Sequence, residues 1–290
     1  MKSDKIIILL VKIQEMTPKY TRVAGTITII YSIAFLFVSC GQHPKDLKSA
    51  TSLADIDKQL QIYTSGKGKN TIVFESGLGV DGSTWIDSGI FDSIGKNNQV
   101  IAYNRSGYGK SADAYGTRDL QALANDLSIV INEKSINGKV IIVGHSLGGA
   151  IARVYAIQHP EKVKALLFIE PNNENFKQYA EMSQEHENAL VLQFKKEKLN
   201  GAAMEATQLI ENISFLKKLN ALPDIPIIVM TSMKTDSEMT VENVANWSLS
   251  HQCLGKDISQ FSQVKTKKSG HFVYLEEPDL VINNIRKLLK

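Results

Sequence analysis

A serine set between glycines, "GHSLGGA" at residues 144–150, is the segment of this chain whose residue types speak most directly of chemistry. A serine hydroxyl is a poor nucleophile at neutral pH. It attacks a carbonyl only when an imidazole within hydrogen-bond reach takes its proton and later passes that proton to the leaving group. A carboxylate must in turn hold the imidazole in the right tautomer and stabilise the imidazolium that forms. The chain has six histidines and thirty Asp and Glu residues, so residue type alone does not select partners for Ser146. Position in the fold must do so.

The flanks of Ser146 predict its setting. "KVIIVG" (139–144) reads as a buried strand and "LGGAIARVYAI" (147–157) as a helix. A serine in the tight turn between them has a strained backbone, so its neighbours must be small; Gly144, Gly148 and Gly149 remove the side chains that would clash. The turn lifts the hydroxyl above the sheet, at the amino end of the helix. There the amide of Leu147 points at the place where an oxyanion would form.

The rest of the chain repeats this alternation. Further strands are expected at 59–66, 71–76, 99–104, 163–170, 225–232 and 263–268. Between them, Leu120, Leu123, Ala124, Leu127 and Ile131 share one helical face. A helix over 150–160 stops at Pro160, and a last helix carries Leu280, Val281, Ile285, Leu288 and Leu289. Continuously apolar strands separated by helices predict an α/β fold, with a mostly parallel, doubly wound sheet covered on both faces. Residues 172–222 carry no strand signal. Ala206, Leu209, Ile210, Ile213 and Leu216 follow helical spacing there, which predicts a helical lid over the carboxyl edge of the sheet, where open α/β sheets bind ligands.

Three segments, "GHSLGGA", "YNRSGYGKS" (103–111) and "SGHFVYLEEPDLV" (269–281), resemble the α/β-hydrolase family in order and separation, over roughly residues 59–290. The resemblance implies that His271, after the last strand, is the general base. The other histidines sit elsewhere: His145 inside the turn, His159 at a helix end, His186 in the lid, His251 in a helix and His43 near the amino terminus. The family places the acid in one of two positions. After the penultimate strand it would be Asp236; after the strand that follows the Ser146 helix it would be Glu170. The chain is closer to members with "ESGLG" where most have "HG", many of which lack the later acid, and this favours Glu170. Glu174 and Asp224 are weaker candidates. A second oxyanion donor is expected from "ESGLGVDGSTW" (75–85), as the amide of Leu78. Arg105, Gly107 and Gly109 stand at family positions and are expected to brace the sheet edge.

The resemblance implies acyl transfer to water by Ser146, without metal or cofactor, on a small or medium carboxylic ester. Thioesters, amides and carbon–carbon bonds are alternatives on the same triad, and a non-catalytic ligand-binding protein or a membrane-surface module are alternatives of other classes. Epoxide hydrolases and haloalkane dehalogenases attack with aspartate at the turn, so Ser146 argues against both. Gly77, Gly79 and Gly82 lack the Gly-Lys-Ser/Thr ending of a phosphate-binding loop.

Composition is ordinary for a soluble globular protein: 43% hydrophobic, 22% charged, with a slight net charge of +3. No basic stripe interleaved with aromatics supports nucleic-acid binding. Cys253 reads as a small buried hydrophobe. Residues 23–39 are apolar and uncharged, follow Lys19 and Arg22, and end at "FVSCG", the plan of a secretory signal. A cysteine at the cleavage point resembles the lipobox of bacterial lipoproteins, which implies lipidation at Cys40 and an extracytoplasmic, membrane-associated domain. An uncleaved anchor is the alternative, the run being short for a spanning helix. Initiation at Met16 would leave a normal basic leader. The expected organisation is a leader or anchor (1–40), a tether (41–58) and a catalytic domain (59–290) that contacts a small acyl substrate and, through its amino terminus, the membrane.

Overall fold

In the computed structural model, which describes residues 51–290 other than 56–57, 134–137 and 238, the apolar runs become strands. They are Thr51–Asp55 (β1), Lys58–Ser65 (β2), Thr71–Glu75 (β3), Gln99–Tyr103 (β4), Val140–His145 (β5), Val163–Ile169 (β6), Ile227–Ser232 (β7) and Phe261–Thr266 (β8). One sheet holds them in the order β1-β2-β4-β3-β5-β6-β7-β8. The first two pairings, β1 with β2 and β2 with β4, are antiparallel; the rest are parallel. β3, β5 and β7 are buried along their whole length, as a sheet covered on both faces requires.

Alternation along β5 divides the core. Val140 and Ile142 join one apolar cluster with Leu127 and Ile151; Ile141 and Val143 join the other with Phe91 and Ile285. The first face is covered by Leu120–Glu133 (α3) and Leu147–Gln158 (α4). The second is covered by Ser83–Asp87 (α1), Ile90–Gly95 (α2) and Pro278–Leu288 (α11). All five residues of the expected α3 stripe are buried. α4 stops two residues before Pro160, whose ring excludes helical geometry from the residue ahead of it.

The parallel register gathers the strand ends. Glu75 pairs with Gly144, His145 with Ile169, and Ser232 with Thr266. Residues immediately after β3, β5, β6 and β8 therefore emerge on one carboxyl edge. Residues 172–222 cover this edge with four short helices, Lys177–Ala180 (α5), Gln184–Lys196 (α6), Asn200–Ala206 (α7) and Leu209–Leu216 (α8). The stripe expected over 206–216 is not one helix: it breaks at Thr207, whose hydroxyl bonds back to Met204 O at 2.7 Å.

Other differences are local. Among the described residues strand pairing starts at Thr51, inside the stretch read as a tether. Cys253 is exposed, not buried, because it ends Val241–Cys253 (α9) on the face turned from Trp247 and His251. The leader, Cys40 and the tether before Thr51 lie outside the described residues. Among the described residues no helix is long and apolar enough to cross a membrane.

Candidate active site

Ser146 lies between β5 and α4 with φ 54° and ψ −118°. A non-glycine residue held there costs about 1–3 kcal/mol, so its surroundings must impose the geometry. Its N–H donates to Ile169 O at 3.0 Å, and its carbonyl accepts from Gly149 N at 2.9 Å and Asn172 N at 3.1 Å. The flanking glycines are needed for close approach. A methyl on Gly148 would lie 2.4 Å from Glu75 O, and one on Gly149 would lie 2.6 Å from Pro171 Cβ. The same contacts press the loop after β3 onto the turn: a methyl on Gly77 would lie 3.3 Å from Ser146 Cβ. Leu78 and Leu147 thereby line one cavity with Ser146 and His271.

His271 sits in the loop between β8 and Val273–Glu276 (α10), with its Nδ1 3.4 Å from Glu170 Oε2. Glu170 follows β6 with φ 52° and is 3% exposed. Its Oε1 accepts Ser232 N–H at 2.6 Å and Trp247 Nε1–H at 3.0 Å. The buried carboxylate is thus held by two donors and turned toward the imidazole. Asp236 stands apart from this arrangement, exposed on the loop after β7, where its Oδ1 accepts Met239 N–H at 2.8 Å. The His271 loop is braced from two sides: the Ser232 hydroxyl donates to Ser269 O at 2.7 Å, and His145 Nε2 donates to His271 O at 3.0 Å. Burial, reinforced by the nearby His271, pushes the His145 imidazole well below its ordinary range, so it is neutral and carries its proton on Nε2.

A buried charge cluster adjoins the turn. Arg105 pairs with Glu75 Oε1 at 2.8 Å and with both oxygens of Glu205 at 2.7 and 2.9 Å. It also donates to Ser76 O at 2.7 Å and Gly77 O at 2.9 Å. Tyr108 donates to Glu205 Oε2 at 2.6 Å and accepts Gly79 N–H at 3.2 Å, and Tyr103 donates to Glu75 Oε2. Glu205 belongs to α7, so one guanidinium ties the loop carrying Leu78 to the lid. Burial pushes the Glu75 carboxyl up to about 7 despite the pull of Arg105.

Two features of the site had no signal in the sequence. The Ser146 hydroxyl donates to Asn172 Oδ1 at 3.2 Å, and Asn172 carries no motif beyond following Glu170 by two. Arg105 was legible as a brace, but Glu205, a hundred residues away, was not legible as its partner. Among the described residues no group of three or more His, Cys, Asp or Glu could hold a metal ion.

Residues 70–185 match a family model described as the alpha/beta hydrolase fold. Over 205 residues the chain is 23% identical to the uncharacterized protein YbdG of Bacillus subtilis. That match covers 69% of this chain and 58% of YbdG, so the chain spans a little over half of that relative. A thermophilic esterase from Thermogutta terrifontis superposes with a TM-score of 0.60 at 19% identity, covering 80% of this chain and 93% of that one. An esterase from Exiguobacterium antarcticum gives 0.60 at 16% identity, covering 80% and 96%. The chain has the α/β-hydrolase fold.

Proposed function

We propose that this protein is a serine hydrolase that cleaves carboxylic esters of small or medium size through an acyl-enzyme on Ser146. The observation that carries this reading is the opening of Ser146 and His271 onto one cavity, with a buried carboxylate at His271 Nδ1. In this mechanism Ser146 Oγ leaves Asn172 by rotation about χ1 and attacks the ester carbonyl while His271 Nε2 takes its proton. Glu170 accepts from Nδ1–H and stabilises the imidazolium. The amides of Leu147 and Leu78 receive the oxyanion, worth about 2.7–4 kcal/mol for a single donor in comparable sites. His271 then protonates the departing alcohol. Water, deprotonated by the same imidazole, attacks the acyl carbonyl and frees the acid and Ser146.

The cavity's walls are mostly apolar, which suits the hydrocarbon part of an acyl group. In the same reading the domain works outside the cytoplasm, held at the membrane by lipid on Cys40. The deciding measurement is intact mass after treatment with an alkyl fluorophosphonate, wild type beside Ser146→Ala. One adduct on wild type and none on the variant is the expected result. No adduct on either would overturn the serine mechanism and favour a ligand-binding protein.

A further inference from the structure

Asn172 rests against the nucleophile with half of its amide unspent. Its Oδ1 accepts the Ser146 hydroxyl at 3.2 Å, and the half-buried residue lines the cavity that contains Ser146 and His271. The nitrogen of a carboxamide sits about 2.3 Å from its oxygen by covalent geometry, so Nδ2 also lies beside the reacting atom. Nδ2 makes no hydrogen bond among the described residues, yet it is not one of the partnerless atoms sealed from solvent. The backbone around it is pinned. Asn172 N–H donates to Ser146 O at 3.1 Å, His251 Nε2 donates to Pro171 O at 3.0 Å, and Asn173 Nδ2 donates to Ser250 O. A fixed frame thus presents the amide to Ser146.

When Ser146 turns its hydroxyl to His271, Asn172 loses its partner at the moment substrate arrives. The tetrahedral carbon then carries Oγ, the oxyanion, the acyl carbon and the leaving oxygen. The oxyanion belongs to the amides of Leu147 and Leu78, and the acyl carbon accepts nothing. Charge next builds on the leaving oxygen. Its bond to the carbonyl carbon breaks and the electron pair goes to that oxygen; the oxyanion's pair re-forms the carbonyl, and His271 Nε2–H gives its proton to the departing group. An N–H aimed at the leaving oxygen strengthens as this charge grows, so it lowers the barrier to breakdown rather than tightening substrate binding.

We propose that Asn172 Nδ2 is the donor to the leaving oxygen, and that the substrate is an oxygen ester of an unactivated aliphatic alcohol rather than a thioester. This rests on the serine-hydrolase reading above and adds the leaving-group class to it. Aliphatic alkoxides are poor leaving groups that need this help. A thioester gains little from it, because sulfur is a weak acceptor.

The test compares ethyl butyrate, S-ethyl thiobutyrate and p-nitrophenyl butyrate, which share one acyl group. In Asn172→Leu, kcat/KM for ethyl butyrate is expected to fall about tenfold or more below wild type, the scale of a hydrogen bond to a charge-bearing oxygen. The fall is expected to be about threefold or less for the thioester, and for the p-nitrophenyl ester, whose leaving oxygen spreads its charge into the ring. Asn172→Ala, which adds no bulk, is expected to show the same pattern. Ratios between substrates do not depend on the folded fraction. An equal fall on all three, as a third oxyanion donor or a merely structural residue would give, overturns the assignment, and so does no fall on any. A fall on ethyl butyrate matched by the thioester overturns the leaving-group class. Wild type that cleaves p-nitrophenyl butyrate but not ethyl butyrate overturns it too. If wild type cleaves none of the three yet forms the fluorophosphonate adduct, the Asn172 assignment fails alone; without the adduct, the serine mechanism fails and takes the assignment with it.

Discussion

In the proposed mechanism Glu170 is the triad acid: it is buried, bonded by Ser232 and Trp247, and its Oε2 lies at His271 Nδ1. Exposed Asp236 is occupied with its own turn. Glu170→Gln is therefore expected to lower kcat by about 10³–10⁴, the scale of losing the tautomer-holding carboxylate in a serine triad. Asp236→Asn is expected to stay within about twofold. Initial rates on p-nitrophenyl acetate would separate the two, and the reverse ranking would move the acid to Asp236. Asn172 bears on the same chemistry because its amide oxygen accepts the resting hydroxyl proton. Proton transfer to His271 requires that bond to break, so Asn172→Ala is expected to change the rate of acylation before any change in stability.

At the level of elements, the Arg105 clamp couples the loop after β3 to lid helix α7. Removing one partner from a buried pair strands the other charge, at about 3–5 kcal/mol. Glu205→Ala is expected to cost about 3 kcal/mol in urea unfolding and to lower kcat as well, since the loop it anchors carries Leu78. A stability loss with kcat intact would mean that the clamp serves folding alone. The lid itself packs through Leu209 and Leu216 into the same apolar cluster as α3 and α4, so it is an integral part of the core rather than a loose flap.

Across the whole molecule, Glu75 predicts how stability follows pH. Its carboxyl is raised from 4.5 to about 7, chiefly by burial. A raised acid binds its proton more tightly folded than unfolded, so its contribution is fully present below about pH 4.5 and is lost as pH climbs through 7. Glu75→Gln carries no such titration. Its melting temperature relative to wild type is expected to rise between pH 5 and pH 8, and an unchanged difference would refute the shift. The proposed attachment is tested on the intact chain in a bacterial host: Cys40→Ala is expected to move the protein from the membrane to the soluble fraction.

What could be read without coordinates was what is local. The turn at Ser146 is dictated by the sterics of Gly144, Gly148 and Gly149, and the inner strands by unbroken apolar runs, so both were legible in the letters. α1 and α2 were not, because five or six residues are too few to display a helical period, even though they bury Trp85 and Phe91. The break at Thr207 hung on one side-chain bond. The contacts that complete the site were set by folding alone. Glu170 meets His271 across 101 residues, Arg105 meets Glu205 across 100, and Asn212 caps Leu120 across 92. Glu170, the favoured carboxylate, and Asp236, its alternative, are told apart in space by where the sheet register delivers them. Burial and hydrogen bonding are properties of that delivered place, and no periodicity along the chain encodes them.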